Sequence, residues 1–304
     1  MKEGDMLKIS VPGSTANLGP GFDSLGLALG KYLTLEVKQA EKFVFIPMTE
    51  DVKGIPTNES NLIAQIALKV ASLYNRQLPQ CEVKVWSDIP MARGVGSSAA
   101  AIIAGIELAN QLCDLNLSED EKLRFASLEE GHPDNVGASL YGGLVIGLHE
   151  QDQTELVRLT EVEVDCVLVI PKYEVLTSDA RNVLPQMLTY KSAVEASAVS
   201  NMLVAGLLSN NWNLVGKMMQ KDLLHQPYRS ELIPEIQLVQ EKVKKFGAYG
   251  SALSGAGPTV ISFVEKGQGD ELASYLSNEF VNCQVEHVAI DLQGCRVEQI
   301  QRVK

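Results

Sequence analysis

The run Pro90-Met91-Ala92-Arg93-Gly94-Val95-Gly96-Ser97-Ser98-Ala99-Ala100 has the composition of an anion site. Gly94 and Gly96 let the backbone approach a ligand, and Ser97 and Ser98 bring hydroxyls that reach phosphate or Mg²⁺. A strand-like run, Cys81–Ser87, precedes the segment, and an Ala-rich helical pattern, Ala99–Leu112, follows it. Free N–H groups at the helix start would then face the anion. The spacing is not GxxxxGK[ST] and no lysine follows, so this is no Walker loop. Tight burial would also suit such a helix, with Gly105 inside it; phosphate binding is the preferred reading.

Glu129-Glu130-Gly131-His132-Pro133-Asp134-Asn135 offers the carboxylate oxygens that a hard cation beside phosphate requires. Taken by itself the segment reads first as a solvated helix end followed by a turn. Pro12-Gly13-Ser14-Thr15-Ala16-Asn17-Leu18-Gly19-Pro20-Gly21-Phe22-Asp23 and Ser251-Ala252-Leu253-Ser254-Gly255-Ala256-Gly257-Pro258-Thr259 are two more glycine-rich segments. Each suits a ligand loop or a plain turn. Arg181 and Arg229, within Thr177-Ser178-Asp179-Ala180-Arg181 and His225-Gln226-Pro227-Tyr228-Arg229, could hold a carboxylate through their planar forks.

These segments need a scaffold, and the chain has room for one. It is 304 residues long, which spreads over roughly two domains. Its 45% hydrophobic and 21% charged residues describe a globular protein. The net charge of −12 opposes nucleic-acid binding, so any phosphate must be met locally, by helix dipole, metal and Arg93. No apolar run is long enough to span a membrane, and no apolar stretch follows the first residues as in a signal peptide. The five cysteines lie at 81, 113, 166, 283 and 295 without a CxxC pair. They read as small buried residues of a protein in a reducing cytoplasm.

Strand-like runs recur at Tyr32–Lys38, Phe43–Ile46, Cys81–Ser87, Leu144–Leu148, Val164–Ile170, Val260–Val264 and Val285–Ile290. Helical periodicity marks the segment from Leu62 to Leu73, a capping box opens a helix at Ser118, and Ser192–Ser209 and Glu231–Phe246 follow. Mixed elements without strict alternation predict an α+β fold. The polar stretch His149–Glu163 is the expected internal boundary, dividing the chain into 1–155 and 156–290.

The order of the segments carries more than any one of them. An N-terminal glycine loop, a central GxGSSA loop and a late SGAGPT loop together resemble the GHMP small-molecule kinases. Asn17–Asp23, Glu130–Asn135 and Pro227-Tyr228-Arg229-Ser230 resemble the signatures of their homoserine kinases in particular, and the likeness runs from about Ile9 to about Gln293. Val95 departs from the usual Leu conservatively.

The resemblance implies a two-domain fold, with an N-terminal domain like domain 2 of ribosomal protein S5 and a ferredoxin-like C-terminal domain. It implies a left-handed βαβ crossover, which the general handedness rule would not predict, and a return of residues 291–304 to the first domain. It implies that ATP lies across Pro90–Ala100 with Asn61 near the nucleotide, and that Ser97 or Ser98 with Glu130 binds Mg²⁺. L-homoserine would be held by Asn17, Asp23, His132, Asn135, Arg181 and Arg229, with Gly257 closing the pocket. Asp23 would meet the ammonium group and the two arginines the carboxylate. Asn135 would orient the acceptor hydroxyl, Arg181 would help to stabilise the transferred charge, and Asp134 stands where related kinases place a catalytic aspartate, a candidate base although catalysis without a dedicated base is the preferred reading. The expected product is O-phospho-L-homoserine, an intermediate on the way to threonine, and the resemblance favours a homodimer. Another GHMP kinase, of the mevalonate or sugar type, and a non-catalytic amino-acid-binding protein on this fold are the alternatives.

Overall fold

Along Met6–Ala16 (β1) and Leu25–Gln39 (β2) the chain pairs antiparallel, with Ile9 opposite Leu35 and Thr15 opposite Leu27. The computed structural model describes residues 6–300. In β1 the apolar residues alternate inward up to Val11, after which both faces are buried. Only the second half of β1, from Pro12 on, therefore lacks a strand periodicity. Gly13, Ser14, Thr15 and Ala16 read as loop composition, yet they are small because neighbouring elements press on both sides of the strand. Likewise Tyr32–Lys38 is only the second half of β2.

Val44–Pro47 (β3) and Cys81–Ser87 (β4) are parallel neighbours joined through helix Leu62–Leu73 (α1), and β4 pairs with β2. Three helices follow, Ser97–Leu112 (α2), Glu119–Glu130 (α3) and Asp134–Tyr141 (α4), and then the hairpin Leu144–His149 (β5) and Thr154–Leu159 (β6). β5 joins the sheet at the first residues of β2, Leu25–Leu27. Position 155 thus falls inside β6, which stays in the first sheet, and residues 160–164 lead out of it.

The second sheet is antiparallel, built from Asp165–Ile170 (β7), Gly250–Leu253 (β8), Val260–Val264 (β9) and Gln284–Val288 (β10). Its order, β10-β7-β9-β8, is the ferredoxin-like arrangement. Between β7 and β8 lie the helices Thr177–Asn182 (α5), Tyr190–Leu208 (α6), Trp212–Met219 (α7), Gln226–Arg229 (α8) and Glu235–Phe246 (α9); Gly269–Glu279 (α10) precedes β10. α9 begins four residues later than its periodicity predicts. Pro234 disfavours helical backbone at the residue before it and itself caps the helix. Arg296–Ile300 (β11) returns to pair with β1 in the first sheet.

One large core, spanning residues such as Ile9, Leu35, Val83, Ile103, Leu168 and Phe263, joins both sheets to the helices around them. A second core packs Val167, Val169 and Leu253 of the second sheet against α9 and α10. No helix among the described residues is long and apolar enough to cross a membrane.

Candidate active site

Between the sheets lies a cavity of about 410 Å³. Three glycine-bearing segments, far apart in sequence, meet at its wall. Gly255 sits at the junction. Its N–H donates to the Ala16 carbonyl at 3.2 Å, and its own carbonyl accepts from Asn17 Nδ2 at 2.9 Å and from Arg229 Nη1 at 3.0 Å. Ser254 Oγ lies 2.5 Å from the Gly94 carbonyl and 2.8 Å from Thr15 Oγ1. The late loop is therefore a brace between the first loop and the central one.

The central loop turns into α2 at Gly96, which has φ +74 and serves as N-cap. A Cβ there would stand 2.4 Å from Ser14 Oγ and 2.8 Å from Ser14 N, and one at Gly94 would stand 2.2 Å from the Ser254 carbonyl oxygen. Both glycines are demanded by packing against protein as well as by positive φ. Beyond them Ser97, Ser98 and Ala101 begin α2, and the first N–H groups of a 16-residue helix lie at the cavity.

Five residues of the expected nucleotide loop lie elsewhere. Pro90, Val95, Ala99 and Ala100 are buried in the protein, because a tight turn must alternate between facing the ligand and anchoring itself. Arg93 turns away too, with Nη2 donating to the Lys172 carbonyl at 3.1 Å, so its charge does not face a phosphate on the cavity side. Met91, Ala92, Gly94, Gly96, Ser97 and Ser98 do line the cavity, as does Asn61. Asn61 caps α1, accepting from Ile63 N at 2.9 Å and donating to the Pro56 carbonyl at 2.9 Å. Around it stand Val52, Ile55, Pro56, Leu62, Ile63 and Val85, an apolar wall fit for a flat base. Sequence reasoning missed this wall. Its members come from three elements and share no spacing.

Charged groups gather at the other end. Ser98 Oγ donates to Glu130 Oε2 at 3.2 Å, and burial, the largest influence on Glu130, raises its carboxyl above the ordinary value. Glu129, its neighbour, instead pairs with Lys69. Asp134 is buried at the start of α4, where its Oδ1 lies 2.5 Å from His132 Nδ1 and accepts from Asn135 N. Burial alone would lower the His132 imidazole; the contact with Asp134, helped by Asp23 and Glu130, outweighs it and the net shift is upward. Asn135 Nδ2 is held by Ser14, 3.2 Å from its carbonyl oxygen and 3.0 Å from its Oγ.

Asp23 does not stand free. It receives Arg181 in bidentate fashion, Nη2 to Oδ1 at 2.9 Å and Nη1 to Oδ2 at 3.1 Å. Asn17 is engaged at both ends, since its Oδ1 accepts from Asp23 N at 3.0 Å while its Nδ2 reaches Gly255. Arg229 is 2% exposed. Its Nε donates to the Ala180 carbonyl at 3.0 Å, and burial pushes its guanidinium down to about 10, still charged at neutral pH. Phe22 separates the arginines, with its ring centre 5.6 Å from Arg181 Cζ and 5.2 Å from Arg229 Cζ. His225 stacks on the same ring at 5.2 Å. Neither Phe22 nor His225 was singled out from sequence, although both lie inside motifs that were.

The geometry thus supplies an apolar end, a helix N-terminus with hydroxyls and a carboxylate, and a charged end built from Asp23, Arg181 and Arg229. Models of the GHMP kinases N terminal domain and the GHMP kinases C terminal match residues 61–143 and 203–282. The chain is 59% identical to a homoserine kinase of Bacillus licheniformis, with 98% of each covered. It is 50% identical to one of Halalkalibacterium halodurans, over 96% of this chain and 95% of the other. A crystal structure of homoserine kinase from Cytophaga hutchinsonii superposes with a TM-score of 0.85 at 29% identity, covering 98% of both chains. Likeness of this extent, along a chain whose scattered motifs converge on one cleft, places it in a family: the chain belongs to the homoserine kinases of the GHMP kinase superfamily.

Proposed function

We propose that the chain transfers the γ-phosphoryl group of ATP to the side-chain hydroxyl of L-homoserine, as a step towards threonine. The observation that carries this reading is the juxtaposition of Asp23, Arg181 and Arg229 with the start of α2 in one cavity. An amino acid presents both charges of that end, whereas mevalonate presents one and a sugar neither.

ATP lies with its base against the apolar wall and its phosphates at the Gly94–Ser98 turn. The hard oxygen donors Ser98 and Glu130, with Ser97 beside them, fit a magnesium ion. Mg²⁺ bound there neutralises developing charge on the phosphates. Arg181 meets the homoserine carboxylate together with Arg229, and Asp23 takes the ammonium group. This requires the Asp23–Arg181 pair to open. Its side chains are 35% and 40% exposed, and an exposed pair contributes only about 0–1 kcal/mol, so a zwitterion replaces it at little cost.

The acceptor hydroxyl donates to Asn135 Oδ1, whose amide is kept in place by Ser14. Its oxygen attacks the γ-phosphorus as the bond to the β,γ-bridging oxygen breaks and ADP leaves, and the hydroxyl proton passes to an oxygen of the transferred phosphoryl group and from there to solvent. A loose phosphoryl transition state asks more of positioning than of a base. Asp134 accordingly serves to hold His132 and the start of α4. His132 lines the substrate end and Gly257 closes it, where a Cβ would run into Ile233 Cδ1 at 2.2 Å.

The test is ADP release measured with homoserine, mevalonate, galactose and shikimate in turn. Homoserine should be preferred by orders of magnitude. Equal or greater turnover of a sugar or of mevalonate overturns the reading.

A further inference from the structure

We infer that His225 is a positioning residue for the amino-acid acceptor: as the Nε2–H tautomer it couples the Gly19 loop to Arg229 and aims that guanidinium at the substrate. The inference rests on the proposed role of Arg229 at the carboxylate.

The tautomer follows from what faces each nitrogen. Nδ1 lies 3.1 Å from Arg229 Nη1, which has only hydrogens to give, so Nδ1 must offer its lone pair. Nε2 lies 2.9 Å from the Gly19 carbonyl oxygen and 3.3 Å from Asp222 Oδ2, both acceptors, so Nε2 must carry the hydrogen. A second proton would set N–H against N–H at Arg229. Complete burial agrees, holding the imidazole well below its ordinary value, with the Arg229 charge adding to the effect against Asp222.

The ring cannot wander. Phe22 stacks on it at 5.2 Å with planes 19° apart. The backbone beneath is pinned by Asp222, whose carboxylate accepts from Leu224 N at 2.7 Å and Gln226 N at 2.8 Å. Arg229 then has Nε on Ala180 and Nη1 shared between His225 and Gly255. Among the described residues no protein acceptor meets Nη2, and Arg229 lines the cavity. An unpaired fork nitrogen, held from three sides, is what bidentate or single capture of a carboxylate uses. The residue also links two segments that close on the same ligand, since Gly19 belongs to the loop carrying Phe22 and Asp23.

Two substitutions separate aiming from anchoring. In His225→Asn, Oδ1 occupies the place of Nδ1 and still accepts from Arg229, while the reach to Gly19 is lost. In His225→Gln, the terminal amide reaches towards Gly19 in place of Nε2, and no acceptor remains near Arg229. Homoserine KM should rise by roughly tenfold or more in His225→Gln, on the scale of one charge-assisted hydrogen bond, but by less than about threefold in His225→Asn. ATP KM should stay within about twofold in both. An equal rise in the two variants, or none in His225→Gln, overturns the inference.

A measurement on the unaltered chain covers the case in which the variants do not fold. Long-range ¹H–¹⁵N spectra should show His225 as the neutral Nε2–H form from about pH 8 down to about pH 5, where an ordinary histidine titrates. An imidazolium or an Nδ1–H signal in that range overturns it. Homoserine methyl ester separates the two levels of the argument. If the unaltered enzyme uses acid and ester equally, the carboxylate reading fails. If it prefers the acid and His225→Gln keeps that preference, only the role of His225 fails.

Discussion

Replacing Arg181 by methionine isolates carboxylate recognition, because this arginine is expendable to the fold and Arg229 is not. Arg181 is 40% exposed at the side chain and hydrogen-bonds Asp23 alone. Losing an exposed ion pair costs about 0–1 kcal/mol. For a protein of this size, 1 kcal/mol moves Tm by about 2–4 °C, so the midpoint should fall by no more than that. Arg229→Leu would instead strand the Ala180 carbonyl and His225 Nδ1 in the interior and take one of two donors from the Gly255 carbonyl. At about 1–3 kcal/mol for each unsatisfied group, the loss is a large fraction of a stability of about 5–15 kcal/mol. Arg181→Met is therefore the cleaner probe. A hydrogen bond to a charged group contributes about 1.5–3 kcal/mol, which is roughly a tenfold to hundredfold rise in homoserine KM. ATP KM should stay unchanged. Coupled ADP release would be followed with homoserine and with its methyl ester, in parent and variant. The parent should discriminate against the ester, and the variant should discriminate much less. If the acid-to-ester ratio is the same in both proteins, Arg181 does not hold the carboxylate, and the zwitterion clamp is wrong.

Glu130→Gln should lower kcat by at least about a hundredfold, whereas Glu129→Gln, which loses only its Lys69 pair, should stay near parental activity; equal losses would refute the assignment. Because burial raises the Glu130 carboxyl, its charged form penalises the fold above that raised value and not below the ordinary one, so Glu130→Gln should match or exceed the parent in thermal stability at pH 7. His132 has a raised folded value, so its contribution is complete below about 6.5 and fades as pH rises through the folded value. Thermal midpoints should accordingly decline with rising pH across that window in the parent and stay flatter in His132→Gln; parallel slopes would show that His132 is not the group concerned. Gly96→Ala should lose several degrees of Tm and ATP affinity together, since its Cβ strikes Ser14 rather than the ligand; normal stability with weakened ATP binding would refute that packing argument.

What could be read in the chain was local. Apolar alternation marked β4, and continuous runs rich in β-branched residues marked β7 and β9. The Ser118–Glu121 capping box marked the start of α3 within one residue. Motif order led to the family, because the glycine loops and the helix start are written in contiguous residues even where distant segments, such as Ser14 and Ser254, make the glycines necessary. β1, β6 and β11 escaped this reading. β1 is buried on both faces beyond Val11, β6 is an edge strand whose residues are mostly exposed or half-buried, and β11 is an edge strand that pairs only with β1, almost the whole chain away.

The site divides in the same way. The order of residues fixes which donors and acceptors are on offer, and nearly all the charged candidates do line one cavity. What each was free to do depended on the long-range packing around it. Arg93 was turned to Lys172, Asn17 and Asn61 were spent on backbone groups, and Asp23 was given to Arg181. Phe22 and His225 acquired their places behind the arginines through contacts about 200 residues apart in the chain. Donor and acceptor identity is a property of a residue, whereas the partner that consumes it is set by whichever chain segment packs alongside.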